Sequence, residues 1–218
     1  MDDTTSSRKK IGFPNKEEWK SNTAHYTDDS LYIAGHHVMG RWETDYMCRL
    51  AHIVCQNGGH ILELGYGMGI SSDFIQKNKK IITHTIIECH PEVAQECRKK
   101  YTHEISEGSI ILCENFWEDI IYKLPNESYD GILFDTYPLT EEQIHKNHYW
   151  FFKDAYRLLK KGGVLTYYSD EKKGYSKEHM EKLKEAGFTH IGYHVCKVNP
   201  PQNMYWNDTS ILAPEIIK

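Results

Sequence analysis

Short apolar runs alternate with amphipathic stretches of helical period along most of this chain, and that alternation limits the fold more than any other feature. Runs at 60–64, 83–88, 109–113, 130–135 and 164–168 predict strands. Segments at 70–78, 91–101, 117–123, 141–160 and 176–186 predict the helices between them, the fourth stopped by Lys160-Lys161-Gly162-Gly163. Units of this kind join parallel strands through right-handed crossovers, so the expected class is α/β with a mainly parallel sheet. An earlier helix is predicted from Trp42 to Val54, where Tyr46, Met47, Leu50 and Ile53 recur at helical spacing before Gly58-Gly59. At the far end, runs near 189–198 and 204–212 joined by Asn199-Pro200-Pro201-Gln202-Asn203 predict an antiparallel hairpin, completing seven strands.

Two strand ends carry chemistry. Gly131-Ile132-Leu133-Phe134 runs into Asp135-Thr136-Tyr137-Pro138, an apolar strand ending on a carboxylate and a proline turn. In open α/β sheets ligands bind just beyond such carboxyl ends. Upstream, Ile61-Leu62-Glu63-Leu64 leads into Gly65-Tyr66-Gly67-Met68-Gly69, and a later strand ends on Glu88. Glycines let backbone approach a ligand closely, and an acidic strand end can accept hydrogen bonds from ribose hydroxyls. The spacing is G-x-G-x-G rather than the dinucleotide G-x-G-x-x-G, which leaves NAD open alongside other adenosine ligands. By itself the loop can also be read as a plain tight turn, a reading that weakens with Glu88 in register.

Composition narrows the ligand. The 218 residues, 39% of them hydrophobic, suffice for one domain with a sizeable core. The net charge is −5, from 26 basic and 31 acidic residues without a long block of either sign, so neither a nucleic-acid partner nor a membrane partner is expected and a small molecule is. With no apolar run of about 18 residues and no secretory pattern, the expected compartment is the cytoplasm. The six cysteines form no CxxC pair and read as reduced thiols. His145 and His148, near Glu141 and Glu142, are the best metal-like spacing, but histidine more often serves as a boundary residue, and no metal is expected. Residues 1–14 are polar and aperiodic and are expected to be a disordered tail before a single domain at 15–218. Nothing in the sequence sets the oligomeric state.

Taken in order, Arg41-Trp42-Glu43-Thr44-Asp45-Tyr46-Met47, Gly65-Tyr66-Gly67-Met68-Gly69, Ile86-Ile87-Glu88, Trp117-Glu118-Asp119 and Asp130-Gly131-Ile132-Leu133-Phe134-Asp135-Thr136-Tyr137-Pro138-Leu139 closely resemble the guanidinoacetate N-methyltransferase family. That family makes creatine. Gly69-Ile70 and His84-Thr85-Ile86-Ile87-Glu88-Cys89-His90-Pro91 look at least as much like the related protein arginine N-delta methyltransferases. Both act on a guanidino group. The resemblance implies a Rossmann-like class I methyltransferase fold with S-adenosylmethionine as cofactor.

It further implies site residues. The glycine loop, Gly65 to Ile70, would pass the methionine part and Glu88 would hold the ribose, with Cys89, Phe116 and Trp117 near the adenine. Met39 and Met47 fall where the family lines the cofactor, and Trp19 and Tyr26 match an N-terminal segment, about 15–40, that closes over the site. Glu43 and Asp135 would grip the guanidino group, with Asp135 also beside the cofactor and taking the proton as nitrogen attacks the methyl. Carboxylates suit this role because a guanidinium, with a pKa of about 12.5–13.8, is protonated at neutral pH and must lose a proton to become a nucleophile.

The pattern breaks in one place. Where the family has a segment beginning Asn-Leu-Thr whose backbone holds the substrate carboxylate, this chain reads Tyr168-Ser169-Asp170-Glu171-Lys172-Lys173. Ser169, Asp170 and Glu171 therefore fall at the substrate's far end. Like charges there disfavour guanidinoacetate unless Lys172 or Lys173 compensates, and point to arginine, agmatine or a peptide arginine as alternatives; a solvated turn is the plainer reading. A nonenzymatic sensor of the cofactor would need neither Glu43 nor Asp135. A nucleic-acid methyltransferase, suggested by the likeness of Asp135-Thr136-Tyr137-Pro138 to a D-P-P-Y loop, fits poorly with the acidic charge.

Overall fold

A computed structural model describes residues 11–202 and 204–218. Most of the tail expected at 1–14 lies outside them. Seven strands form one sheet: β4 (Gly59–Leu64), β5 (Ile81–Ile87), β6 (Ile110–Cys113), β7 (Tyr129–Phe134), β8 (Leu159–Tyr167), β9 (His190–Lys197) and β10 (Ser210–Ile217). Their spatial order is β6-β5-β4-β7-β8-β10-β9, parallel from β6 through β8, with β10 antiparallel to both β8 and β9. Strand order reverses between β4 and β7, and ligand crevices open at such a point beyond the carboxyl ends of the strands.

The central strands read as continuous apolar runs because helices cover both faces. Ile61, Leu133 and Val164 face the helix Thr44–Val54, which buries Tyr46, Met47, Leu50, Ile53 and Val54 against them. Leu62, Leu64, Ile132, Phe134 and Leu165 face the opposite side, packed by Phe151, Phe152, Ala155 and Leu158 of the helix Asn147–Leu158. Full burial of each such side chain stabilises by roughly 1.5–3 kcal/mol. Gly131 is what lets the first helix sit so close: a Cβ there would come within 2.1 Å of the Val54 carbonyl oxygen.

The predicted single helix over 141–160 is divided. Thr140 and Gln143 close a capping box on a short turn at Glu141–Gln143, His145 enters left-handed backbone (φ 61), and the helix proper begins at Asn147. At the other end Gly162 and Gly163, expected as a helix stop, lie inside β8, because fully buried Leu159 pairs with Tyr129 and starts the strand early. Pairing and burial override the local stop signal here. The second hairpin strand starts at Ser210 rather than near 204, because residues before it turn inward: Trp206 is buried in the core and Tyr205 reaches Glu43.

The N-terminal segment adds a small antiparallel meander not foreseen from sequence: β1 (Ala24–Tyr26), β2 (Ser30–Ile33) and β3 (His36–Gly40). Before it, Asn15 and Glu18 form a capping box, the Asn15 side chain accepting from Glu17 N (3.0 Å) and Glu18 N (2.9 Å), which starts the helix Lys16–Ser21 that carries Trp19. Asn22 O and Ala24 N are tied to His90 Nε2 (2.8 Å) and Glu92 Oε2 (2.7 Å) near the end of β5.

Candidate active site

Sheet register brings the site together. Ile87, Leu64, Phe134 and Tyr167 are paired in one row across β5, β4, β7 and β8. The residue after each therefore forms the next row, Glu88, Gly65, Asp135 and Tyr168, on strands spaced about 4.8 Å apart. Gly65 N donates to Ile87 O and Asp135 N to Leu64 O, both at 2.9 Å, which locks that row. Gly65 has φ 89, and a Cβ on it would lie 2.0 Å from the Asp135 carbonyl oxygen. Only glycine lets the loop turn this tightly against the neighbouring strand end.

A cleft enclosing about 1230 Å³, part of it open to solvent, lies above the row. Glu88 is fixed within it: Oε2 accepts from Tyr66 N (2.9 Å) and Oε1 from His90 N (2.7 Å), which leaves each oxygen further acceptor capacity. Asp135 continues the parity of Leu133, on the face of the Thr44–Val54 helix. No described residue donates a hydrogen bond to its carboxylate. Burial, followed by the charges of Glu63 and Asp170, pushes its pKa up to about 7.

Glu43 closes the short turn Arg41–Glu43 that joins β3 to the Thr44–Val54 helix, so it stands at the start of that helix and lines the same cleft as Asp135. It is buried, accepting at Oε1 from Gly40 N (2.8 Å) and from the Tyr205 hydroxyl. Burial and the Glu43 charge hold the Tyr205 hydroxyl protonated, well above the ordinary tyrosine range. Tyr168 stands 5.3 Å from Tyr46 and 6.3 Å from Tyr205, ring centre to ring centre. Its hydroxyl oxygen is buried and has no hydrogen-bond partner among the described residues.

Of the residues singled out from sequence, Trp19, Met39, Glu43, Gly65, Gly67, Glu88, Cys89, Phe116, Trp117, Asp135 and Asp170 line this cleft. The others stand back from it. Met47 is fully buried in the core, and Ile70 opens the helix behind the loop. Tyr66, Met68 and Gly69 shape the loop from its outer side, where the Tyr26 hydroxyl donates to Gly67 O (3.2 Å); Met68 N donates to Met39 Sδ (3.3 Å). Ser169 and Glu171, expected near the substrate, are turned away. Ser169 Oγ donates to Leu212 O (2.7 Å), and Glu171 Oε1 accepts from Ser176 N (2.9 Å) and faces His179 Nδ1 (3.3 Å), so both side chains serve the hairpin and the next helix.

Sequence reasoning missed Tyr168, Tyr205, His145, Asn115, Glu118 and Tyr137, all of which line the cleft. Tyr137 and Glu118 lie inside quoted motifs and Tyr168 next to one expected contact; His145 drew notice only for its metal-like spacing with His148, and Tyr205 carries no local signal. His145 Nδ1 pairs with Asp170 Oδ1 at 2.9 Å, and both residues hold left-handed backbone, φ 61 and 55. His148 instead stacks on Tyr167 (4.9 Å), so the two histidines do not converge. Among the described residues no group of three or more metal-ligating side chains comes together.

A family model described as guanidinoacetate N-methyltransferase matches residues 10–218. The chain belongs to that family. Its cofactor is S-adenosylmethionine. Curated relatives named protein arginine N-methyltransferase 2 include those of Neurospora crassa (32% identical over 167 residues, 70% of this chain and 38% of the relative) and Aspergillus fumigatus (30% over 148 residues, 66% and 34%). The chain spans little more than a third of their length. Among solved structures, spermidine synthase from Thermotoga maritima (TM-score 0.62, 15% identity, 89% of this chain and 72% of that one) and M. jannaschii TYW2 in complex with AdoMet (TM-score 0.60, 15% identity, 91% and 85%) share the fold.

The cleft fits that cofactor by its own geometry. Oε2 of Glu118 is buried without a hydrogen bond among the described residues, Lys16 Nζ stands 3.9 Å away, and burial raises its pKa. Beside it Cys89, Val93, Phe116 and Trp117 make an apolar slot. An orphaned acceptor at the rim of such a slot suits the amino edge of an adenine, Glu88 the ribose, and the close backbone turn at Gly65 to Gly67 the methionine end.

Proposed function

We propose that this chain transfers a methyl group from S-adenosylmethionine to a guanidino nitrogen. The observation that carries the reading is Asp135: a carboxylate with no hydrogen-bond donor among the described residues, raised to a pKa of about 7, in the same cleft as the buried carboxylate of Glu43. Two carboxylates facing one cleft match the fork of N–H donors on a guanidinium. A base with a pKa near 7 is about half ionised in neutral solution while keeping more proton affinity than an ordinary carboxylate.

S-adenosylmethionine supplies an electrophilic methyl group when bound. The chain's own residues do the rest. Glu43, positioned by Gly40 N and Tyr205, orients the guanidino plane; Asp135 takes the proton from the attacking nitrogen. Segment 15–40 acts as a lid in this reading, supported by the Trp19 ring stacked on Tyr137 (5.0 Å, 11°) and the Tyr137 hydroxyl 3.0 Å from His36 Nδ1. Excluding water strengthens the carboxylate contacts.

Guanidinoacetate, giving creatine, is the first acceptor to consider, since it names the family. A second reading, arginine, agmatine or a protein arginine, is favoured by one observation: Asp170 lines the cleft and adds a further negative charge to it. Mass-spectrometric screening of guanidino compounds with isotope-labelled S-adenosylmethionine tests both. Transfer of the labelled methyl to a guanidino nitrogen is expected; cofactor binding without transfer to any of them contradicts the proposal.

A further inference from the structure

The cleft carries five carboxylates, Glu43, Glu88, Glu118, Asp135 and Asp170, and no lysine or arginine among the described residues that line it. Lys172 and Lys173, the cations that could offset Asp170, are elsewhere: Lys172 Nζ sits 3.6 Å from Asp208 Oδ2 and over the Trp206 ring, Lys173 is exposed, and neither lines the cleft. Asp170 itself is mostly shielded, with a side chain 17% exposed. Its Oδ1 is engaged by His145, whereas no described residue donates to Oδ2. Two residues back, Tyr168 lines the same cleft, and its buried hydroxyl has no hydrogen-bond partner among the described residues.

We infer that the far end of the acceptor is a cation, seated on the Asp170 carboxylate and the Tyr168 hydroxyl, so that the preferred substrate is a small guanidino amine rather than a guanidino acid. This rests on the guanidino reading above and specifies its substrate class. An ammonium has three donors and no acceptor, so it can meet Asp170 Oδ2 and Tyr168 Oη together. A carboxylate in that place would face Asp170 and lie near Asp135. Even a protonated His145 would only neutralise its partner, leaving the rest of the cleft negative. A buried hydroxyl without a partner is costly, and a ligand that completes it gains that cost back.

Agmatine and 4-guanidinobutanoate share a four-carbon spacer and differ only in ending on an ammonium or a carboxylate, which makes them the direct probes. Wild-type kcat/KM is expected to favour agmatine by about tenfold or more, the size of a modest charge effect in a partly shielded site. Asp170→Asn, a residue that tolerates left-handed backbone, is expected to shrink that ratio about tenfold through KM, with S-adenosylmethionine affinity by calorimetry showing that the variant is folded. Should that variant not fold, Tyr168→Phe is expected to narrow the preference for agmatine over N-butylguanidine. Preference for 4-guanidinobutanoate or guanidinoacetate, turnover of a peptide arginine but not agmatine, or a ratio that neither variant moves would overturn the cationic seat while leaving guanidino methylation intact. Turnover of no guanidino compound by a cofactor-binding enzyme would remove both.

Discussion

The Tyr205 hydroxyl donates to the Glu43 carboxylate across 162 residues of sequence, tying the connector of the C-terminal hairpin to the start of the helix Thr44–Val54. A buried carboxylate persists only where donors or a cation offset its lost hydration. Glu43 has Gly40 N and Tyr205 for the first, and a bound guanidinium would supply the second. Tyr205→Phe removes one donor and is expected to lower stability in urea by about 1–3 kcal/mol, with KM for the guanidino acceptor rising and cofactor affinity holding.

Asp135 sets a pH dependence. The ionised carboxylate is the base, so kcat/KM should fall about tenfold per pH unit below an apparent pKa near 7. In kcat the limb should lie lower, because a bound guanidinium favours the ionised form. Stability runs the other way. A carboxyl raised from 3.8 to about 7 costs folding energy once pH climbs past 3.8, and the full cost is present above 7. Asp135→Asn should therefore be more stable than wild type at pH 8 and show no such gain below pH 4, a difference that denaturant titrations at the two pH values would register.

Gly65→Ala tests the close approach of loop and strand end. The new Cβ would meet the Asp135 carbonyl oxygen at 2.0 Å on backbone with φ 89, so strain and clash together should cost about 2–5 kcal/mol. Because the displaced atoms belong to both the loop and Asp135, cofactor affinity and turnover should fall together. Calorimetry and initial rates on the same preparation would reveal any separation of the two.

A buried aromatic cluster predicts acid sensitivity. Burial lowers the pKa of His148 and holds that of His179 down to about 4, with the Tyr167 hydroxyl 2.6 Å from His179 Nε2. For a histidine whose folded pKa lies below its unfolded value near 6.5, stability is complete above 6.5 and is lost as pH falls from there toward 4. A loss on the order of 1–2 kcal/mol per histidine by pH 5 is expected in unfolding curves, and a His179→Gln variant should show a shallower decline across the same window.

The strand-and-helix order of the sheet was legible because buried parallel strands leave uninterrupted apolar runs such as Ile86-Ile87 and Ile132-Leu133-Phe134. Asp135, Gly65 and Glu88 were legible as strand ends. What periodicity could not foresee depended on long-range pairing: Leu159 leaves its helix to join Tyr129, and Tyr205 turns inward to Glu43 rather than extending the hairpin. Ser169 and Glu171 were assigned to the substrate by position along the chain. The alternating direction of side chains after β8 sends Tyr168 and Asp170 to the cleft and those two residues to the hairpin and the next helix.

The base assignment is central, and one measurement tests it most directly: single-turnover methyl transfer by Asp135→Asn with the best guanidino acceptor, alongside calorimetric S-adenosylmethionine binding on the same sample. The amide should preserve cofactor binding and lower the transfer rate by about 10²–10⁴-fold. Transfer at a rate close to wild type by that cofactor-bound variant would contradict Asp135 as the proton acceptor.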